Sequence, residues 1–298
     1  ILLILMLALI PFSELKAQDE PEKDRPVRFP FASGYIIDNQ TTFIPVPGTL
    51  EFAIQHKFGT VENGISDLFG IYAPAANIRL GLNYVPVSNF QLGAGLTKDK
   101  MHTDLNVKWT IVEQTRRNTI PVAVTLYGVL AIDGRDLSAL GSGKAWHSGE
   151  GDAEFDFSFA DRWSYFSQLI VSRKLTERLT LQAGASFTHY NLVDPEFDHD
   201  KIGVHFLGRY NFSPQSSILF NYDVPLNIKK ISEQHEVPPH HQPNFSLGWE
   251  ISTSTHAFQI YMGSSKGLLP QEIMMWNSNE INFDNMAIGF VITRLWNL

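Results

Sequence analysis

Apolar and polar residues alternate one by one along most of the chain from about residue 48 onward. The segment from Leu50 to Phe58 shows the pattern, because its apolar side chains fall on one parity and Glu51, Gln55 and Lys57 fall on the other. Alternation with a period of two predicts β-strands with one apolar and one polar face. We predict about twelve strands of about ten residues, the length that a tilted strand needs to cross a bilayer. The alternation is weaker in the Gly-rich segment Phe90 to Thr97 and in Ile120 to Ile132, which is apolar on both faces. The segments are Leu50 to Phe58, Asn77 to Val85, Phe90 to Thr97, Thr103 to Ile111, Ile120 to Ile132, Trp163 to Val171, Leu179 to Phe187, Ile202 to Phe212, Ile218 to Val224, Phe245 to Ile251, Phe258 to Met262 and Ile288 to Trp296.

The connections between these segments alternate in length. Short links follow every second strand, at residues 86–89, 113–119, 176–178, 213–215 and 253–255. The other links are longer, at residues 59–76, 133–161, 191–200, 225–243 and 263–285, with the short link 98–101 as the exception. Short periplasmic turns and long external loops are typical of membrane barrels. The sequence therefore predicts an all-β fold, a transmembrane antiparallel up-and-down β-barrel of about twelve strands.

The charged residues within the segments indicate which face meets lipid. Arg79 and Lys108 both fall on the polar parity, which assigns the polar face to the lumen, since a basic residue facing lipid at mid-depth costs about 2–4 kcal/mol. A soluble β-sandwich also alternates, because one of its faces packs on a core. The large aromatic residues lie mostly toward strand ends and fit either an interfacial girdle or a sandwich core: Tyr84, Trp109, Trp163, Tyr165, Tyr210, Tyr222, Trp249 and Trp296.

The N-terminal region differs from the rest of the chain. Residues 1–10 are an unbroken apolar run, and Leu15-Lys16-Ala17 offers the small residue that signal peptidase needs. We interpret residues 1–17 as a signal peptide, with a short buried strand or helix as the alternative. No later apolar stretch approaches the ~20 residues of a membrane helix. We expect residues 18–47 to form a periplasmic N-terminal segment and residues 48–298 to form the barrel.

Composition excludes several kinds of site and partner. The chain of 298 residues has no cysteine, which excludes disulfides, thiolate metal sites and a lipid anchor on a processed cysteine. Its formal net charge of -8 gives no reason to expect nucleic acid as a partner. The expected partners are outer-membrane lipid and lipopolysaccharide, with a periplasmic or surface protein as a further possibility.

Several short motifs lie between about Gly48 and the end of the chain. They are His56 to Gly59, Asp67 to Gly70, Arg79 to Tyr84, Gln168 to Lys174, Thr188 to Val193, Phe258 to Ile260, Ser264 to Gly267 and Ile288 to Arg294. By these motifs the chain resembles a family of bacterial outer-membrane β-barrels catalogued as a domain of unknown function and frequent in Bacteroidota. The resemblance implies a membrane barrel and carries no established activity, so it assigns no functional residue. Arg294 and the residues after Trp296 depart from the usual aromatic ending of such barrels.

Candidate chemistry is confined to a few polar clusters. His235, His240 and His241 share one loop, but their spacing matches no closed metal motif, so we predict no metal site and no cofactor. Acidic residues in two further loops suggest the hypothesis that these loops bind calcium or other cations. His56 and His189 fall on the apolar parity near strand ends, and His205 should face the lumen. The acidic residues are Glu150, Asp152, Glu154 and Asp156 in one loop, and Asp194, Glu196, Asp198 and Asp200, with His199, in the other.

The resulting functional hypothesis is a small-solute pore or transport component in the bacterial outer membrane. About twelve strands leave a lumen wider than the side-chain-filled barrel of eight strands, and loops such as residues 133–161 are expected to plug it. The alternative is a structural or partner-binding barrel with a closed lumen. A lipid-modifying enzyme is a further alternative, but no His-Glu-x-x-His motif is present, and no catalytic residue is predicted.

Overall fold

A closed antiparallel barrel of twelve strands forms the body of the protein. The computed structural model describes residues 24–136, 158–193, 197–228, 231 and 241–298. Each wall strand pairs with its neighbours in sequence, so the predicted up-and-down topology and strand number are confirmed. Two short strands precede the wall, β1 (Tyr35–Ile36) and β2 (Asn39–Gln40). The wall strands are β3 (Thr49–Thr60), β4 (Asn77–Val87), β5 (Phe90–Thr97), β6 (Thr103–Val112), β7 (Ala123–Ile132), β8 (Trp163–Lys174), β9 (Leu179–Tyr190), β10 (Asp200–Asn211), β11 (Ser216–Leu226), β12 (Asn244–Ser252), β13 (His256–Gly263) and β14 (Ala287–Asn297).

The barrel closes where the last strand pairs with the first. β14 runs antiparallel to β3, with Trp296 opposite Leu50 and Ile292 opposite Ile54. This is the seam expected for an even number of hairpin-linked strands. Closure matters in lipid because an open edge would leave a row of unpaired amide groups, each costing several kcal/mol.

The two faces of the wall follow the parity seen in the sequence. Along β6, exposed and buried residues alternate without a break. Val107 and Trp109 face outward, whereas Lys108 between them is buried inside the barrel. Arg79 is also buried, so both basic residues face the lumen as predicted. The apolar exterior is therefore the same face that the sequence analysis assigned to lipid.

One predicted strand begins later than expected. We predicted a strand from Ile120, but β7 begins at Ala123. Pro121 has no amide hydrogen for the ladder, and the carbonyl of Ile120 instead accepts a hydrogen bond from the backbone N–H of Thr115 within the preceding turn. The Gly-rich segment Phe90 to Thr97 is confirmed as the full strand β5.

The two ends of the barrel differ in their connections. The turn end carries the connections at residues 88–89, 113–122, 175–178, 212–215 and 253–255, together with the start of β3 and the end of β14. The loop end carries residues 61–76, 98–102, 133–162, 191–199, 227–243 and 264–286. A helix, α1 (Pro270–Trp276), lies within the last of these loops. Among the described residues, no helix has the length and apolarity needed to cross a membrane.

Candidate functional site

Residues 31–44, here called the N-terminal plug, lie inside the barrel. We expected residues 18–47 to form a periplasmic N-terminal segment, whereas the structure places residues 31–44 of this range within the lumen. A lumen bounded by twelve strands is too wide for wall side chains alone to fill, so the plug buries its own apolar side chains there. The contacts join Phe31, Tyr35, Ile36 and Ile37 to wall residues Ala53, Leu207, Leu219, Tyr261 and Val291.

The plug turns back on itself between β1 and β2. Ile37 at this turn has a φ of 54°, a left-handed conformation that costs a β-branched residue about 1–2 kcal/mol. A wall residue, Gln259, stabilises the turn through both ends of its side-chain amide. Its Oε1 accepts a hydrogen bond of 2.8 Å from the Ile37 N–H. Its Nε2 donates one of 2.9 Å to the carbonyl of Tyr35.

Polar side chains of the wall hold the plug from several directions. Lys108 Nζ donates to Gln40 Oε1 at 2.9 Å. Asn39 Nδ2 donates to Asp223 Oδ1 on the opposite part of the wall at 2.7 Å. The hydroxyl oxygens of Thr42 and Ser172 lie 2.6 Å apart. Because these partners belong to β6, β11 and β8, the plug is fixed around the circumference rather than along one strand.

A buried ion pair links the N-terminal plug to the loop end. Lys57 Nζ lies 2.8 Å from Asp38 Oδ2, and both side chains have at most 1% exposure. The same ammonium group donates to the carbonyl of Gly267 at 2.8 Å. Removing one partner from a buried pair is strongly destabilising, about 3–5 kcal/mol, because the other charge is left uncompensated. Lys57 therefore couples the plug to the loop that contains α1.

Residues 268–276, here called the helical plug, fold into the lumen from the loop end. Pro270 occupies the first turn of α1, where a missing amide hydrogen costs nothing. We expected residues 133–161 to plug the lumen. Residues 137–157 of that loop lie outside the described part of the chain, so this expectation stays a prediction. The helical plug comes from the β13–β14 connection. Its buried apolar residues are Leu268, Leu269, Ile273, Met274 and Met275. Ile273 and Met274 pack with Tyr127, Val129, Phe166 and Ile170, and Met275 packs with Tyr190 and Val193.

A buried acid and a buried imidazole meet where the helical plug contacts the loop end. Glu272 Oε1 lies 3.4 Å from His102 Nδ1, and both side chains are almost completely buried. Neither residue belongs to a wall strand. Burial raises the pKa of Glu272 to about 7, and burial lowers the pKa of His102 to about 4. The docked helix therefore favours the uncharged form of each group.

The two plugs leave almost no space between them. The cavity at their junction has a volume of about 10 Å³ and is lined by Tyr35, Asp38, Arg79 and Leu269, among others. That is room for about one water molecule. A larger cavity of about 380 Å³ lies at the turn end, beside Phe29 and Phe43. Within the described part of the chain, the lumen therefore has a small cavity between the plugs and a wider one at the turn end.

One sector of the wall, β3 to β6, is polar along its length. Arg79 on β4 binds Asp104 on β6 through two hydrogen bonds, of 2.9 and 2.6 Å. Glu51 accepts hydrogen bonds from Asn83 and Gln91. The buried residues of this polar sector are Thr49, Glu51, Gln55, Lys57, Asn77, Arg79, Asn83, Gln91, Thr97, Asp104, Asn106, Lys108 and Thr110.

The histidine-rich loop falls largely outside the structure. His235 and His240 lie outside the described residues, as do Asp194, Glu196 and the acidic residues between 150 and 156. His241 is described and stacks at 6.0 Å from Phe197. Within the described ranges, no group of three or more His, Cys, Asp or Glu residues is placed to hold a metal ion.

The strand histidines lie on the faces that their parity predicts. His56 faces outward and stacks on Phe290 at 5.0 Å. His189 also lies on the outer face near its strand end, with Nδ1 2.6 Å from Asp200 Oδ1. His205 is buried in the lumen as expected.

His205 is not an isolated lumen histidine. Its Nε2 lies 2.7 Å from Ser186 Oγ, and its Nδ1 lies 2.8 Å from Asp223 Oδ1. The three residues come from β9, β10 and β11 and share the inward parity. The sequence analysis missed this arrangement, since only the strand register brings the three positions side by side.

These features define a class, a membrane β-barrel with an apolar exterior and a lumen filled by its own chain. The chain belongs to the family described as Membrane bound beta barrel domain (DUF5777), whose model matches residues 31–296. The match begins at the first residue of the N-terminal plug, so the plug is part of the family's domain. The family resemblance inferred from the sequence is confirmed, and the protein is located in the bacterial outer membrane.

A search of solved structures finds membrane channels that are similar to this chain. An outer-membrane channel from Pseudomonas putida F1 is 10% identical, with a TM-score of 0.49, over 86% of this chain and 97% of that chain. The NanC porin is 7% identical, with a TM-score of 0.44, over 84% and 99%. The TodX monoaromatic hydrocarbon channel is 9% identical, with a TM-score of 0.37, over 86% and 92%. No curated protein matches the chain.

Proposed function

We propose that this protein is a gated outer-membrane channel for small polar solutes, closed in the present state by its two plugs. The observation that carries the proposal is the polar sector of β3 to β6. A permanently sealed lumen would be more stable with apolar packing, because each buried charge must recover a large desolvation cost. A polar lumen is instead the usual lining of a water-filled channel.

The N-terminal plug covers this polar sector. The Gly34 amide donates to Glu51 Oε1, the Tyr35 hydroxyl accepts from Asn83, and Gln40 accepts from Lys108. The helical plug contacts the opposite part of the wall, along β8 to β11. Withdrawing the N-terminal plug toward the turn end would therefore uncover the polar sector while the helical plug stays docked.

The charges of the sector favour weak anion selectivity in the open channel. It contains the cations Lys57, Arg79 and Lys108 and the anions Glu51 and Asp104. Arg79 and Asp104 neutralise each other through their ion pair. When the N-terminal plug leaves the lumen, Lys57 loses its ion pair with Asp38 and Lys108 loses its hydrogen bond to Gln40. The remaining excess of positive charge should attract anions.

A specific observation favours the alternative of a structural or partner-binding barrel. The junction of the plugs holds only about 10 Å³, and the N-terminal plug is tied to the wall by buried hydrogen bonds. A barrel that never opens would have the same closed lumen, with its loops left to bind another protein.

Conductance in planar bilayers separates the two functions. We compare the parent chain with a variant lacking residues 24–44, a variant with residues 268–276 replaced by Gly and Ser, and the combination of both. The parent should be silent or open rarely, and the variant lacking residues 24–44 should give steady steps. Chloride should permeate better than potassium, and Lys108→Gln in that variant should reduce this preference.

The matched control lacks only residues 24–30, which lie outside the N-terminal plug, and it should behave like the parent. Folding of each variant is checked by the change in gel migration on boiling that closed barrels show. If the combined variant folds but passes no current, the channel proposal is wrong and the partner-binding alternative is favoured.

A further inference from the structure

Three residues on adjacent strands form a continuous hydrogen-bonded chain inside the barrel. Ser186, His205 and Asp223 have at most 5% exposure. Ser186 Oγ lies 2.7 Å from His205 Nε2, and His205 Nδ1 lies 2.8 Å from Asp223 Oδ1. Register fixes this arrangement, because Gly203 lies opposite Ser186 and His205 lies opposite Asp223.

The aspartate determines which nitrogen of the imidazole carries hydrogen. Asp223 Oδ1 accepts hydrogen bonds from His205 and from Asn39 of the N-terminal plug. Its Oδ2 accepts from Asn221 and Asn244. A carboxylate so placed holds hydrogen on Nδ1 and leaves Nε2 as the acceptor for the serine hydroxyl. This is the division of roles that activates a serine nucleophile.

An apolar patch lies next to the serine in an otherwise polar part of the wall. Gln168 lies directly opposite Ser186 on β8. Phe166 and Ile170, on either side of Gln168, are buried and face the lumen with Val129. The Phe166 ring meets the His205 ring edge to face at 6.0 Å. The patch can bind an apolar group beside the serine, and the Gln168 amide supplies N–H donors near it.

The helical plug occupies this space. Met274 is fully buried in the cluster formed by the patch. A Cβ added at Gly203 would lie 2.3 Å from Met274 Sδ and 2.9 Å from Ser186 Oγ. The unbranched thioether side chain therefore lies beside both the nucleophile and the apolar patch, where an acyl chain would otherwise bind.

We propose that Ser186, His205 and Asp223 form a latent esterase site that the helical plug covers, with short-chain acyl esters as its substrates. Ser186 Oγ attacks the acyl carbon while His205 Nε2 takes the hydroxyl proton. The ester C–O bond breaks, and His205 returns the proton to the departing alcohol. Water, activated by the same imidazole, then releases the carboxylic acid and restores Ser186. Asp223 is a positioning residue.

The site is tested with diisopropyl fluorophosphate on the variant whose residues 268–276 are replaced by Gly and Ser. An activated serine forms an O–P bond, the P–F bond breaks, and the proton passes to the imidazole. Peptide mass spectrometry should locate the label on Ser186. Ser186→Ala should lose it, and His205→Gln, which keeps an N–H for Asp223, should slow it about 100-fold or more. Met274→Ala should label faster than the parent.

Ser172 is the matched control, because it is a buried lumen serine bound to Thr42. It should stay unlabelled in every variant. Hydrolysis of p-nitrophenyl butyrate should follow the same order of variants. The proposal is overturned if the opened barrel migrates as folded and Ser186 reacts no faster than Ser172. The conductance test is independent of this result, because Ser186→Ala should not change the current through the variant that lacks residues 24–44.

Discussion

At the scale of single residues, a glycine in the wall makes room for an ion pair that spans a strand. Arg79 on β4 reaches Asp104 on β6 by crossing β5 at Gly95. A Cβ at Gly95 would lie 2.5 Å from Arg79 Nη2 and 2.6 Å from Asp104 Oδ1. The Gly-rich composition of β5 therefore has a structural reason, which is to leave the lumen side of this strand free.

Gly95→Val should break this ion pair and destabilise the barrel by about 3–5 kcal/mol, the usual result of leaving a buried charge without its partner. Urea unfolding in detergent micelles measures the change. The matched control is Ala94→Val, whose side chain faces outward on the same strand and should have little effect. Equal midpoints for the two variants would show that the ion pair does not depend on Gly95.

At the scale of elements, β14 is the strand whose loss opens the wall. It supplies the ladder partners of both β13 and β3. Deleting residues 287–298 should leave two unpaired edges in lipid and prevent folding. The test is migration on a detergent gel before and after boiling. Deleting only residue 298, which lies beyond the strand, should preserve the shift. A truncated chain that still shifts would place the seam elsewhere.

The docking of α1 should depend on pH only when one member of the buried acid–imidazole pair is missing. Between about pH 4.5 and 6.5 the docked pair holds one proton on Glu272, since its pKa is raised to about 7. The undocked pair also holds one proton, on His102, whose ordinary pKa is 6.5. Equal numbers of bound protons give a docking free energy that does not change with pH.

Substituting His102 or Glu272 alone should make the docking of α1 depend on pH, with opposite signs in the two variants. With His102→Asn, docking should weaken about tenfold per unit as pH rises from 4.5 to 7, because the undocked Glu272 releases its proton first. With Glu272→Gln, docking should weaken similarly as pH falls from 6.5 to 4, because the undocked His102 gains a proton first. Hydrogen-exchange protection of residues 271–276 reports docking, and slopes of the same sign in both variants would contradict the pairing.

At the scale of the whole molecule, the barrel has two unlike ends, and the turn end is predicted to face the periplasm. An epitope inserted after Gly64, in the exposed β3–β4 loop, should be accessible to antibody on intact cells. One inserted after Glu177, in the β8–β9 turn, should become accessible only after the outer membrane is permeabilised. The reverse result would invert the orientation. The two insertions serve as controls for each other, because both sites lie in connections between wall strands.

The sequence predicted the wall well because its information is local. Alternation places Leu105 and Lys108 on opposite faces without knowledge of any distant residue, and lipid makes the penalty for an error large. The pattern failed at Ile120. Pro121 has no amide hydrogen for the ladder, so the strand begins only at Ala123. The pattern placed most strand ends within a few residues.

The contents of the lumen could not be predicted in the same way. Asn39 bonds to Asp223, a partner that no periodicity in residues 31–44 indicates. α1 has only seven residues, too few to show a helical period. His205 lies on the predicted inward face, but its meeting with Ser186 and Asp223 depends on the registers of two strand pairs. A register slip of one residue would separate them.

Closure of the barrel by its first and last strands has a kinetic consequence. The wall cannot be completed until β14, near the end of the chain, has been synthesised and exported, so folding waits for the contact with the greatest separation in sequence. Residues 31–44 must be inside the forming barrel before that contact locks. Substitutions that loosen the N-terminal plug should therefore lower the yield of folded protein as well as change the closed state.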